Sequence, residues 1–182
     1  LPSLVERWLW YHDAINPALL TSAERAVVVD ELKRRTSPSD NAGRQETARF
    51  RLVQLGDEQT IAEFVKIITN ADIYSRQYHD TTWFLATMMD SRASQPLLIP
   101  ALAPLLYLPD DPTTFMIGDT EEQNRPMFAA DTIRKILRNS DVFSQDVKQW
   151  ATRPVPSVTM DEFRLIVRRW WEQNKDAFAR KD

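Results

Sequence analysis

The chain has 182 residues, 43% of them hydrophobic and 27% charged, and a formal net charge of −3. That length and apolar content suit one folded domain rather than a disordered segment, and the acidic balance argues against a surface coated in basic residues for nucleic acid, leaving room only for a local basic patch. The absence of Cys excludes disulfides, thiolate metal sites and Cys nucleophiles, and three Gly are too few for a fold built on β-hairpins, phosphate loops or a dinucleotide-binding turn.

In chain order, Leu4, Val5, Trp8 and Leu9 form a helical apolar stripe that predicts a capping N-terminal helix. Thr21-x-x-Glu24 is a capping box, so a helix is expected from Ser22 to about Arg35, with Val28, Val29 and Leu32 inward. After the turn cluster Ser37-Pro-Ser-Asp-Asn, a second helix is expected over Arg44 to Leu55, ended by Gly56. Asp57 caps a third, in which Ile61, Phe64, Val65 and Ile68 fit the i, i+3, i+4, i+7 template. Another runs from about Tyr74 to Met89. Ser94 to Tyr107 is apolar, with Pro96, Pro100 and Pro104 at every fourth position, which curves that helix or splits it near Ile99. An acidic loop, 108–124, separates it from an Arg-led helix over Arg125 to Leu137. A shorter helix opens at Asp141 or Ser144 and ends near Trp150, and Thr159-x-x-Glu162 caps the last one, which buries Phe163, Ile166, Val167 and Trp170.

The helices pair. First helices are expected near Ser22, Glu58 and Ser94, 36 residues apart each time, and the fourth near Val142, about 12 residues late. A two-helix period of this size implies an α-solenoid. The surplus falls in the 108–124 loop.

On these residues the chain resembles HEAT repeats. Pro96-Leu-Leu-Ile-Pro-Ala-Leu-Ala-Pro-Leu-Leu matches the family's first helix and Arg125-Pro-Met-Phe-Ala-Ala-Asp-Thr-Ile-Arg-Lys-Ile-Leu its second. Asp40-x-x-x-Arg44, Asp72-x-x-x-Arg76 and Glu121-x-x-x-Arg125 echo the acid-to-Arg spacing, and Leu55-Gly-Asp the break between units. The resemblance implies an all-α fold: a right-handed α-α superhelix of about four HEAT-like helix pairs in a single domain. The units are about 21–56, 57–91, 94–140 and 141–174. The fourth departs from the pattern, with a short first helix and no Asp-x-x-x-Arg before its second.

No residue set selects a reaction. His12 and His79 are the two histidines, neither in a metal-binding spacing, and no Ser stands in a G-x-S-x-G turn. Tyr78-His79-Asp80 is not a relay, because adjacent helix residues point in different directions. We therefore expect no enzyme activity, catalytic residue, metal or cofactor. Trp8, Trp83 and Trp170 are expected in the core, and Trp10, Trp150 and Trp171 are candidates for exposure.

Charge is more informative. In the family, second helices line the concave face. Here Gly43 to Leu55 carries net +2, Tyr74 to Asp90 −1, Arg125 to Asn139 +3, and the last helix balances, whereas 108–124 carries −5. The leading expectation is a protein-interaction or scaffold module that binds another protein or peptide. It would use Arg44, Arg134 and Arg138 on the concave face and Phe115, Met116, Ile117, Asp119 and Glu121 on the loop ridge. Some bacterial DNA glycosylases are built from HEAT-like repeats, so the alternative is a nucleic-acid-binding or glycosylase-like protein in which Arg44, Arg49, Arg134, Arg138 and Arg168 meet phosphates. A third reading is a spacer within a larger bacterial secreted protein. No run approaches the ~18 apolar residues of a membrane span. A chain that begins at Leu1 reads as processed or trimmed, which leaves periplasmic or secreted and cytoplasmic locations equally open.

Overall fold

Capping chemistry sets the helix ends. Thr21 Oγ1 accepts from the Glu24 N–H at 3.3 Å while the Glu24 carboxylate accepts from the Thr21 N–H at 2.9 Å. This is the reciprocal capping box that the sequence predicts, and the helix it opens is α2, Ser22–Arg35. At the far end of the next helix, Gly56 takes φ 77°. Its N–H donates to Val53 O and that of Asp57 to Leu52 O, each at 2.9 Å, a Schellman stop that only glycine adopts cheaply.

The computed structural model describes residues 2–10, 15, 17–37, 40–89, 96–109, 124–153 and 160–178. Within them every regular element is a helix, so the all-α expectation holds. The α-helices are α1 (Pro2–Trp10), α2, α3 (Ala42–Gln54), α4 (Glu58–Asn70), α5 (Arg76–Met89), α6 (Leu98–Leu102), α7 (Arg125–Asn139), α8 (Gln145–Thr152) and α9 (Met160–Asn174), with 3-10 turns at Pro17–Leu19, Ala103–Tyr107 and Lys175–Phe178. No helix among the described residues is long and apolar enough to cross a membrane. The expected Ser94 start, the Thr159 cap and nearly all of the 108–124 loop lie outside the described residues.

The chain divides into two compact units, Leu1–Ile61 and Ala62–Asp182. In the first, α1, α2 and α3 pack around Val5, Trp8, Leu9, Val28, Leu32, Ala48 and Leu52. The guanidinium of Arg51, 2% exposed, donates to Trp8 O at 3.1 Å and to Gln54 Oε1 at 2.8 Å, and lies 5.0 Å from the Trp8 ring centre. It satisfies a carbonyl near the end of α1 that has no intrahelical partner. Burial pushes its pKa down to about 10, which leaves it charged at neutral pH. Arg25 does the same for the end of α3, donating to Leu55 O at 2.9 Å and also to Pro17 O at 3.0 Å.

The second unit is organised on α7. Met127, Phe128, Ala129, Ala130, Ile133, Ile136 and Leu137 are all buried, so this helix is apolar around most of its circumference. It packs against α5, α6, α8, α9 and the 103–107 turn. Arg125 leads it and donates to Ile68 O at 2.7 Å and Ala71 O at 2.6 Å, closing the C-terminal end of α4.

Three local expectations change. The proline-spaced helix divides between Leu102 and Ala103 rather than near Ile99: Pro104, which lacks an N–H and would clash with the carbonyl four residues back, sits in the first turn of the 3-10 segment instead. Trp83 is 54% exposed, not core, because α5 buries the Tyr78, Thr81, Thr82, Leu85 stripe and Trp83 falls outside it. Leu4 is likewise 42% exposed beside its buried neighbours Val5 and Trp8. The residues of the acid-to-Arg spacings have these partners. Asp40 pairs with Arg35 at 3.7 Å while Arg44 pairs with Glu6 at 3.2 Å, and Arg76 pairs with Asp80 at 3.1 Å. The Asp40 and Asp72 carboxylates are held locally by the N–H groups of Asn41 and Tyr74.

Candidate functional site

Because α7 buries so much of its surface, its charges after Arg125 fall on one stripe. Asp131, Arg134, Lys135 and Arg138 fall at i, i+3, i+4 and i+7, one line of side chains along the helix. The end of α8 packs beside that line and adds Thr152 and Arg153. Together they enclose a notch of about 170 Å³. Among the described residues its walls carry four cations and one carboxylate, and that carboxylate is held by Lys135 at 2.8 Å.

Arg134 is the most constrained of the four. Its guanidinium donates to Arg153 O, beyond the last turn of α8, and lies 5.4 Å from the Phe163 ring centre. Burial pushes its pKa below the ordinary arginine value; Asp131 pulls it back and the charge of Arg138 adds to the depression. Arg138 donates to Asn139 Oδ1 at 3.2 Å. Arg153 is exposed and its side chain makes no ion pair among the described residues.

A second surface lies where the 103–107 turn meets α9. Tyr107, Leu165, Arg168, Arg169, Glu172 and Gln173 line a groove of about 370 Å³. The Tyr107 hydroxyl donates to the Glu172 carboxylate, and the Arg168 guanidinium stacks 4.3 Å from the Tyr107 ring centre. Burial and the neighbouring Glu172 raise the Tyr107 pKa, so the phenol stays a donor. Tyr107 and Leu165 remain 43% and 40% exposed. The far end of α9 is sealed by aromatics: Trp150 stacks on Trp170 at 5.6 Å, and Phe178 contacts Trp170 at 6.2 Å and Trp171 at 5.6 Å. Trp150 and Trp171, flagged for exposure, are therefore half-buried cap residues; the Trp10 side chain lies outside the described residues.

Of the residues singled out from sequence, Arg134 and Arg138 come together in the notch. Arg44 is in the other unit, on a hollow of about 530 Å³ with Leu9, Asn41 and Thr47, and its Glu6 partner also holds Arg35 at 3.3 Å. Phe115, Met116, Ile117, Asp119 and Glu121 lie outside the described residues. His79 is exposed while Tyr78 is buried, as their adjacency on a helix requires, and His12 lies outside the described residues. The sequence reading missed Arg153, Tyr107 and Leu165 as site residues. Lys135 was findable, since it continues the Asp131–Arg134–Arg138 stripe. Arg153 was not, because its place beside α7 depends on how α8 packs. No protein-family model, curated protein or solved structure matches this chain.

Proposed function

We propose that the protein is a non-enzymatic interaction module of HEAT-like helix pairs that holds a segment of another protein in the Tyr107–α9 groove. The observation that carries this reading is the pair of exposed apolar side chains, Tyr107 and Leu165, set between the charged rim groups Arg168, Arg169 and Glu172. Tyr and Arg are over-represented among residues that dominate protein interfaces, where an apolar centre is ringed by polar groups. Such a groove suits a segment that presents an aliphatic or aromatic side chain next to a carboxylate. The 108–124 stretch follows Tyr107 directly, so Phe115, Met116, Ile117, Asp119 and Glu121 belong to the same reading by sequence.

The HEAT-like α-solenoid is supported by the starts of α2 and α4 at Ser22 and Glu58, 36 residues apart. It is also supported by an arginine in the first turn of α3, α5 and α7, namely Arg44, Arg76 and Arg125. The nucleic-acid alternative has less behind it. Among its proposed phosphate contacts, Arg44 pairs with Glu6, Arg134 donates to a carbonyl and Arg168 stacks on Tyr107. A duplex affinity that falls steeply with salt would reverse that order.

A photo-reactive residue in place of Leu165, with Val142 as an exposed control, tests the groove in cells making the full chain. One protein should crosslink at 165 and not at 142. The adduct should disappear with Arg168→Glu, and with deletion of Thr113 to Glu122, while both variants still melt cooperatively. Equal crosslinking at both positions, or an adduct indifferent to Arg168→Glu, overturns the reading.

A further inference from the structure

In the first unit, α1 is held by charged groups that reach it from two helices. Glu6 is the one acid in α1. Its Oε2 pairs with Arg35 of α2 at 3.3 Å and its Oε1 with Arg44 of α3 at 3.2 Å. Two residues on, Trp8 O accepts from Arg51 of α3 at 3.1 Å. The apolar side of α1 buries Val5, Trp8 and Leu9 in the core of the unit.

Two of these donors keep partners without α1. Arg35 turns each nitrogen of its guanidinium to a different carboxylate: Nη2 to Glu6, Nε to Glu31 at 3.1 Å and Nη1 to Asp40 at 3.7 Å. Glu31 belongs to α2 and Asp40 to the turn before α3, so both stay when α1 leaves. Arg51 likewise keeps Gln54 Oε1 at 2.8 Å, one turn along α3. Separating a charge pair is most costly when it strands one member, buried and without a partner. Neither Arg35 nor Arg51 is stranded in that way, and the Glu6 carboxylate and Trp8 carbonyl leave with α1 to meet water. The rest of the unit is also tied together without α1. Arg25 of α2 donates to Leu55 O at the end of α3 at 2.9 Å, and Lys33 of α2 pairs with Asp57 before α4 at 2.7 Å. A helix of nine residues is too short to persist alone in water, so α1 unwinds when it leaves.

We propose that α1 is a detachable helix latched by Glu6: it undocks and redocks while α2 and α3 stay folded, and ionic strength sets how often it opens. The side chains of Glu6, Arg35 and Arg44 are 34%, 29% and 35% exposed, so ions in solution reach and screen the latch. Glu31 and Asp40 hold the Arg35 guanidinium between openings, which keeps the receiving half of the latch formed. The apolar contacts of Val5, Trp8 and Leu9 bring the helix back to its seat. Such an opening is sub-global and needs less free energy than unfolding the unit. The device does not depend on the Tyr107–α9 groove binding a protein.

The test is amide hydrogen exchange by NMR on the full chain, at about 0.01 M and about 1 M sodium chloride, where the screening lengths are ~30 Å and ~3 Å. Trp8 and Leu9 of α1 are compared with Val28 of α2 and Leu52 of α3, and the ratios cancel the effect of salt on the chemical exchange step. In the parent, Trp8 and Leu9 should exchange about fivefold faster at high salt, and Val28 and Leu52 should not change. Glu6→Gln keeps the shape of the side chain and removes its charge. It should speed exchange of Trp8 and Leu9 about fivefold at low salt, the scale of losing two partly exposed ion pairs. It should also abolish their salt dependence and leave Val28 and Leu52 as in the parent. The salt series on the parent is independent of whether the substituted chain folds. Exchange of all four amides rising together shows that the unit opens as one and overturns the proposal, as does exchange at Trp8 and Leu9 that is indifferent to salt or to Glu6→Gln.

Discussion

Arg51 in the first unit and Arg134 in the second do the same local job in opposite surroundings. Each donates to a carbonyl at or just beyond the C-terminal end of a neighbouring helix, and each lies against an aromatic ring, Trp8 for Arg51 and Phe163 for Arg134. Arg51 is sealed in the core with a second acceptor, Gln54, at 2.8 Å, so its charge is committed to holding α1 on α3. Arg134 stands at the rim of a notch with Arg138 and Arg153 beside it, so its charge also faces outward. The difference teaches that one local role, donating to a helix-end carbonyl, can leave an arginine sealed in a core or standing at a surface notch. Arg25 and Arg125 belong with Arg51: both are directed at helix-end carbonyls within their own units.

The sharpest way to break the comparison is to remove the buried member. Arg51→Leu leaves Trp8 O without its donor and Gln54 Oε1 with one fewer, and should cost about 3 kcal/mol, the scale of deleting buried charge-assisted hydrogen bonds. Urea denaturation reads the loss, and amide hydrogen exchange should rise first in α1. A cost below about 0.5 kcal/mol, the usual range for surface substitutions, would show that Arg51 is not a structural clamp.

A smaller effect is expected on the other side. Arg134→Ala loses one bond to Arg153 O in a half-exposed setting and should cost about 1 kcal/mol, discounted for solvent screening. Arg138→Ala should stay within about 0.5 kcal/mol of the parent. If Arg138→Ala proved as costly as Arg134→Ala in the same urea series, the outward-facing arginines would be structural as well, and the contrast between the units would collapse.

The smallest effect is a pH dependence confined to the first unit. Asp57 accepts from the Thr60 N–H at 3.0 Å and the Thr60 hydroxyl at 2.7 Å, and pairs with Lys33 at 2.7 Å. Burial opposes ionisation of this carboxyl, but Lys33 and Thr60 outweigh it and hold the pKa below the usual carboxylate value. A depressed folded pKa means that the contribution is fully present above the unfolded value of about 3.9 and is lost as pH falls through the folded one. Exchange of the Thr60 amide should therefore accelerate below about pH 4 beyond its intrinsic rate. Asp57→Asn should flatten that dependence, and an unchanged profile in the variant would remove Asp57 as its source.

How much of this was legible beforehand follows interaction range. The Thr21 capping box, the Gly56 stop and the Asp57 cap involve residues three to five apart, and all are found where the sequence places them. The apolar stripe of α4 also reads correctly, since a helical period is a local property. Trp83 read wrongly because its stripe was assigned without knowing which side of α5 would be covered. The acid-to-Arg spacing is legible in sequence, but which donors the acids meet is not: the carboxylates of Asp40 and Asp72 accept from the N–H groups of Asn41 and Tyr74. The notch was half legible: Arg134 and Arg138 share a helix face, but Arg153 joins them only through the packing of α8 on α7.

The sequence by itself thus determined that this is a helical protein, where most helices begin and stop, and that basic residues gather on α7. These follow from hydrogen bonds and periodicities that close within one or two turns. Tertiary structure alone decided what each arginine does. The Arg51–Trp8 bond spans 43 residues and the Arg125–Ile68 bond 57. No local rule reports whether a guanidinium will meet a helix-end carbonyl, a carboxylate or another cation, because that depends on which helix end the fold brings beside it.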